Sequence, residues 1–148
     1  MPQVSKRLVN PKTQEKIFSL FISGIIKCNN REITLSLVED LLTQTERIML
    51  AKRFSIAYML LAGYDYRSIS HILKVSTTTI GLVASWLKVR GNGFRKIIEK
   101  IKKDESLREI LNEIQDLIEE LIASTPGQNW SNSKRILWES RRERQKPF

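Results

Sequence analysis

The stretch that decides the fold is residues 65–90, DYRSISHILKVSTTTIGLVASWLKVR. Asp65 and Ser76 are good N-cap residues, so the sequence predicts two helices that begin at these positions. Only Lys74 and Val75 separate the end of the first helix from the cap of the second. Two helices joined so tightly cross at a steep angle, which is the geometry of a helix-turn-helix.

The apolar residues of this stretch follow the pattern of that motif. Five positions are expected to be buried, and a small residue, Ser70, is expected near the turn. The five are Ile69, Leu73, Val75, Ile80 and Val83. Lys74 stands where glycine is common, and it can adopt the left-handed conformation at a cost of about 1 kcal/mol. An ordinary corner between two helices of a bundle has the same pattern, so the role of the motif depends on charge.

The rest of the chain favours an all-α fold. All four prolines lie outside residues 12–125, and the alternation typical of strands is absent. Three helices are expected before the motif, at about Lys12–Ile26, Glu32–Leu42 and Thr43–Ala62. The third begins with Thr43 and Glu46 in the spacing of a capping box. The apolar window 17–26 has about half of the roughly 20 residues that span a bilayer, so we expect a core helix and no membrane partner.

The scarcity of cysteine and histidine excludes several kinds of site. A single cysteine, Cys28, permits no intrachain disulfide framework, and a single histidine, His71, permits no histidine-based metal centre. No nucleophile-base set or phosphate-binding glycine loop is recognisable. We therefore expect a cytoplasmic protein that is not an enzyme and that needs no metal and no cofactor.

Charge is unevenly distributed along the chain, whose net value is +9. Residues 44–90, which include the motif, carry a net +5, and residues 91–104 carry +3. Residues 105–123 carry −5, and the tail 124–148 carries +4. Positive charge on and beside a helix-turn-helix indicates phosphate contacts, and hence double-stranded DNA as the partner.

A longer stretch resembles a known family. Residues 41–88, LLTQTERIMLAKRFSIAYMLLAGYDYRSISHILKVSTTTIGLVASWLK, are followed by VRGNGFRKIIEKIKK. The LLT-x-x-ER opening, the LL-x-G helix end, YRSIS and VSTTTI resemble, in this order, the Trp repressor (TrpR) family, and especially its YerC/YecD-like branch. The resemblance implies a bacterial transcriptional regulator, a repressor. It also implies an intertwined, all-helical homodimer that presents two recognition helices to successive major grooves about 34 Å apart.

The residues expected to contact DNA surround the second helix of the motif. Ser76, Thr77 and Thr78 lie at its N-terminal end, where they can donate hydrogen bonds to phosphates or base edges. The exposed face continues with Gly81, Leu82 and Ser85, and flanking phosphate contacts are expected from Arg67, Lys74, Lys88 and Arg90. This face lacks Arg and Asn, so it loses the bidentate base contacts that each supply roughly 1–3 kcal/mol of discrimination.

The resemblance also implies a vestigial ligand pocket, made of Thr43, Arg53 and Thr79. In the Trp repressor, tryptophan is held by two arginines, a threonine and a close-packed glycine. Here the second arginine position is Leu82, and bulky Trp86 stands where a serine contacts the ligand. We therefore predict that tryptophan does not act as a corepressor.

Two additions follow the motif-bearing domain, which is assigned to residues 1–104 with the helix-turn-helix at about 65–89. Residues 105–123 are predicted to form an amphipathic acidic helix that packs on the body, adds a dimer contact, or covers the basic motif of a neighbouring chain and regulates access to it. Residues 124–148 form a basic aromatic tail, expected to be flexible, to act as a nucleic-acid arm, or to dock through Ile136, Leu137 and Trp138. The alternatives to a DNA-binding regulator are a helical protein-interaction module and a non-specific nucleic-acid binder.

Overall fold

The computed structural model describes residues 9–125 and 130–144, and all regular structure in these ranges is helical. The all-α prediction is confirmed. The helices are α1 (Pro11–Lys27), α2 (Arg31–Leu41), α3 (Gln44–Leu61), α4 (Tyr66–Leu73), α5 (Thr77–Arg90), α6 (Asn92–Lys103), α7 (Glu105–Ser124) and α8 (Ser131–Arg144). Helices α1 to α5 lie within a residue or two of the predicted bounds.

The chain forms two compact units, Met1–Ile48 and Met49–Phe148. In the first unit, α1 begins at Pro11, whose fixed φ suits the first turn of a helix. The Asn30 side chain caps α2 by accepting a hydrogen bond from Ile33 N at 2.8 Å. No residue of either helix is buried. The apolar window of α1, expected in a core, is therefore exposed in the single chain.

The start of α3 has the predicted capping box. The Glu46 carboxylate accepts hydrogen bonds from Thr43 N at 2.9 Å and Thr43 Oγ1 at 2.7 Å, and Thr43 Oγ1 accepts one from Glu46 N at 3.3 Å. The hydrogen bond from the Thr43 side chain is the main reason that the pKa of Glu46 lies below its ordinary value of 4.5. Backbone N–H groups at the start of α3, which have no partner within the helix, are thus satisfied by the two side chains of the capping box.

The core of the second unit receives side chains from each of α3 to α8. Its buried aliphatic residues include Ile56, Met59, Ile69, Ile80, Val83, Leu87, Ile98, Ile118, Ile122, Ile136 and Leu137. The acidic helix α7 packs on this core through Ile118 and Ile122. Helices α7 and α8 therefore share one core with the helix-turn-helix.

Residues 131–144 differ from the first expectation for the tail. They form α8, and Trp130, Ile136 and Leu137 are buried, because one side of the helix is apolar enough to pack on the core. Trp138, which was expected to dock with its two neighbours, is instead 59% exposed. The remaining parts of the predicted tail, 126–129 and 145–148, lie outside the described residues.

Candidate nucleic-acid interface

Helices α4 and α5 have the geometry expected of a helix-turn-helix. Their axes are bent by 118° with respect to each other. Asp65 caps α4, accepting from Ser68 N at 3.0 Å and from Ser68 Oγ at 2.8 Å. Ser76 caps α5, accepting from Thr79 N at 3.2 Å. Both predicted caps are confirmed, and they define where the two helices begin.

The turn between these helices depends on two residues. Lys74 has φ 51° and ψ 54°, so it adopts the predicted left-handed conformation. Ser70 Oγ donates a hydrogen bond to Val75 O at 2.7 Å, and Val75 N donates to Ser70 O at 3.3 Å. The small residue near the turn thus has a second role that spacing alone did not reveal, since its hydroxyl group closes the turn.

The five apolar residues of the motif that were predicted to be buried are buried or half-buried. Ile69, Ile80 and Val83 are buried as predicted. Leu73 and Val75 are half-buried and pack against the same core. The contact surface between α4 and α5 therefore holds the outer face of α5 in a defined orientation.

Four residues with hydroxyl groups lie at the N-terminal end of α5, and two of these hydroxyl groups are hydrogen-bonded to each other. The hydroxyl groups of Ser76 and Thr79 are 2.9 Å apart and hydrogen-bonded to each other. Thr77 and Thr78 are exposed on the first turn. Because the first N–H groups of a helix lack partners within it, this end of α5 is suited to an anion such as a phosphate.

The middle of α5 has a smooth and partly apolar outer face. Apart from Gly81 itself, its two chain neighbours and the backbone of α5, no described atom lies within 4 Å of the position that a Cβ would take at Gly81. Leu82 is 51% exposed and Trp86 is 42% exposed. The Ser85 hydroxyl group donates to Gly81 O at 3.0 Å, so it has a backbone partner within the helix. This face offers methyl and methylene contacts more readily than hydrogen bonds.

The cations predicted to flank this face are all exposed. They are Arg67 on α4, Lys74 in the turn, and Lys88 and Arg90 in the last turn of α5. After Arg90 the chain turns at Gly91, where a Cβ would clash with the Leu87 carbonyl group, and the basic helix α6 begins. A surface bearing positive charge on both sides of α5 is complementary to a DNA backbone.

The three residues of the predicted vestigial pocket have other described contacts. The Arg53 guanidinium carbon lies 5.7 Å from the centre of the Trp86 ring, in a cation–π arrangement. The Thr79 hydroxyl group is engaged by Ser76, and Thr43 lies in the first unit, in its capping box with Glu46.

A family model described as "Trp repressor protein" matches residues 9–102, more than half of the chain. The chain belongs to the Trp repressor family. The match begins before α1 and ends in α6, so it extends the resemblance seen from residue 41 onward to the first two helices. No curated protein and no solved structure matches the chain.

The Trp repressor family is one of DNA-binding regulators of transcription that are not enzymes, and this chain is assigned to the same broad class. Helices α7 and α8 lie beyond the matched residues. The contact of α8 with α4 was missed by sequence reasoning. Ser133 Oγ donates to Ser68 Oγ at 2.6 Å, and the His71 and Trp130 rings meet edge to face with centroids 5.2 Å apart.

Two further findings concern membranes and metals. Among the described residues no single helix is long and apolar enough to cross a membrane, and only the bent pair α4–α5, taken together, reaches that length and composition. The same ranges contain no group of three or more His, Cys, Asp or Glu residues placed to hold a metal ion.

Proposed function

We propose that the chain is a homodimeric, cytoplasmic repressor of the YerC/YecD-like branch, which binds double-stranded DNA through α5 without a tryptophan corepressor. The observation that carries the proposal is the α4–α5 pair, whose steep crossing leaves Thr77 and Thr78 exposed on a surface flanked by cations. In a helix-turn-helix the N-terminal residues of the second helix contact base edges in the major groove. Membership in the Trp repressor family supports the same assignment.

Uncovered apolar surface in both units supports the homodimer. In the first unit, α1 exposes large apolar side chains that include Ile17, Phe18, Leu20, Phe21, Ile25 and Ile26. The second unit has an apolar groove of about 310 Å³ between α3, α4, α6 and α7. Contiguous exposed apolar surface of this kind is typical of an interface. Sedimentation equilibrium is expected to give a particle of twice 17.2 kDa.

The contact between Arg53 and Trp86 supports the absence of a tryptophan corepressor. The indole ring of Trp86 lies against the guanidinium group that the resemblance assigns to the ligand carboxylate. Leu82 replaces the second arginine, so one of the two guanidinium groups that would bind the ligand carboxylate is absent, and the other, that of Arg53, has an aromatic neighbour. Titration calorimetry is expected to detect no binding of L-tryptophan in the micromolar range, and a micromolar isotherm would refute this part of the proposal.

A selection on random duplex DNA tests DNA binding directly. At about 150 mM salt, physiological ionic strength, the full chain is expected to enrich a palindrome with half-sites about 34 Å apart. Thr78→Glu places a carboxylate at the DNA-facing end of α5 and is expected to abolish the enrichment. Thr45→Glu is the matched control, because Thr45 is also an exposed threonine at the second position of its helix. Loss of enrichment in both variants, or in neither, contradicts the assignment of α5.

The exposed apolar face of α5 favours a second candidate function, a protein-interaction module. Leu82 and Trp86 together present a hydrophobic surface where a DNA reader usually presents polar groups. If the chain binds no duplex DNA in the selection, this alternative gains support. If it binds in a salt-sensitive manner without enrichment, a non-specific nucleic-acid binder is favoured.

A further inference from the structure

Helix α8 has an exposed basic and aromatic face that the proposed function does not use. Lys134, Trp138, Arg141 and Arg142 recur at steps of three and four residues, so they lie on one side of the helix, with Arg135 at its edge. All five side chains are exposed. The Arg142 guanidinium carbon lies 5.4 Å from the centre of the Trp138 ring. Cations and an indole ring therefore form one continuous surface.

The opposite face of α8 is attached to the first helix of the helix-turn-helix. Ser133 is fully buried and donates its hydrogen bond to Ser68, which is also buried. Asn132 Nδ2 donates to Gly63 O at 2.8 Å, in the turn that precedes α4. These contacts, with the edge-to-face pair of Trp130 and His71, hold the basic face at a defined position relative to α4.

The basic face retains positive charge that no acidic side chain of the described residues pairs with. Arg141 pairs with Glu119 of α7, and Arg135 lies 4.0 Å from Glu139. Within the described ranges, Lys134 and Arg142 form no ion pair. They are eight positions apart, which corresponds to about 12 Å along a helix. A DNA axis of that length carries several phosphates.

We propose that this face of α8 contacts the phosphate backbone of duplex DNA that flanks the site bound by α5. The inference rests on the proposed function. Its reason is the attachment of α8 to α4, because the first helix of a helix-turn-helix crosses the DNA backbone. Arg67, an exposed candidate phosphate contact, directly precedes Ser68, to which α8 is bonded. Single-stranded nucleic acid is the less suitable ligand, because Arg142 lies over one face of the Trp138 ring and leaves at most one face on which a base could stack.

The test compares two double variants of the full chain by fluorescence anisotropy with labelled duplexes. Lys134→Ala/Arg142→Ala removes the two cations of α8. Lys12→Ala/Lys16→Ala removes two exposed lysines of α1 and is the control with the same net charge. Binding is measured between about 50 and 200 mM salt, on the selected palindrome, on a random duplex and, for comparison, on a labelled single-stranded oligonucleotide. Circular dichroism melting checks that both variants fold like the unmodified chain.

The α8 variant is expected to reduce the slope of log Kobs against log salt by about 0.9 per lost contact, about 1.8 per protomer. The reduction is expected to be equal on both duplexes, because phosphate contacts do not read sequence. Hydroxyl-radical footprinting is expected to lose protection only at the edges of the site. A slope equal to that of the control overturns the inference, and so does a loss of affinity confined to single-stranded oligonucleotides.

Failure of this inference and failure of the proposed function give different results. If the chain selects a palindrome that depends on Thr78, and the α8 variant behaves like the control, only the role of α8 is refuted. If no palindrome is selected but the α8 variant still lowers the salt slope on duplex DNA, α8 is supported as a backbone contact and the sequence-reading role of α5 is refuted.

Discussion

Substitutions of Lys74, the left-handed residue in the turn, can separate the effect of backbone strain on stability from the effect of the side-chain charge on DNA binding. Lys74 has φ 51° and ψ 54°, and its side chain is exposed. A non-glycine residue pays about 1–2 kcal/mol in this conformation. Glycine removes that strain but loses about 0.4–1 kcal/mol through the greater entropy of its unfolded chain. Taking the midpoints of these two ranges, we expect Lys74→Gly to raise the free energy of unfolding by about 0.8 kcal/mol.

The assay is thermal and urea unfolding followed by circular dichroism, at one fixed protein concentration because the proposed dimerisation would shift the midpoint. For a chain of this size the gain corresponds to an increase in Tm of about 1–4 °C. Lys74→Ala is the control, since it removes the same charge and keeps the strain. Its stability is expected to stay within about 0.5 kcal/mol of the unmodified chain.

DNA affinity should separate from stability in these two variants. Both lose the cation of a proposed phosphate contact, so both are expected to reduce the salt slope by about 0.9 per protomer. Only the glycine variant is expected to gain stability. If Lys74→Gly is no more stable than Lys74→Ala, the turn carries no strain that glycine relieves, and the energetic reasoning about this turn is refuted.

Four other substitutions test the packing of the core and the cap of α3. Tyr64→Phe removes a buried hydroxyl group that has no hydrogen-bond partner among the described residues. Urea unfolding is expected to show no change in stability or a gain of up to about 1 kcal/mol. Tyr58→Phe removes a hydrogen-bonded hydroxyl group and is expected to cost about 1 kcal/mol. Trp130→Ala is expected to cost about 3–5 kcal/mol by the same measurement, and a cost below 1 kcal/mol would show that α8 is not docked. Thr43→Ala is expected to raise the pKa of Glu46 toward 4.5 in an NMR titration. Because the pKa of Glu46 is lowered in the folded state, the ionised Glu46 carboxylate stabilises the fold above its unfolded-state pKa. That stabilisation is lost as the pH falls through its folded-state pKa.

The sequence was sufficient to predict the fold around the turn because its signals are local. Asp65 and Ser76 each satisfy backbone groups within three residues, and a Lys at the turn has few allowed conformations. Helix bounds followed from such caps and from the placement of prolines. The residues that line the outer face of α5 followed from helical periodicity, since Ile80 and Val83 identify the buried side.

The docking of α8 was not predictable in the same way. The hydrogen bond between Ser68 and Ser133 joins residues 65 positions apart, and a serine pair has no periodicity that would reveal it. A basic, polar segment also has a low mean hydropathy, which is typical of flexible tails. The exposure of α1 was equally hidden, because an amphipathic pattern indicates that a face will be covered but does not indicate by which surface.

The composition of the outer face of α5 determines how strong a DNA preference is to be expected. Without Arg or Asn, discrimination must come from apolar contact between Thr methyl groups or Leu82 and the thymine methyl group, and from the shape of the duplex. Gly81 leaves the centre of the helix open to close approach. In the proposed homodimer, two symmetric half-sites would double whatever each α5 contributes, and the proposed phosphate contacts outside the half-sites would raise affinity without raising specificity. A regulator with such a surface is therefore expected to bind DNA tightly at low salt and to select its site only as the salt concentration approaches the physiological range. Measuring binding as a function of salt concentration therefore distinguishes the competing functions.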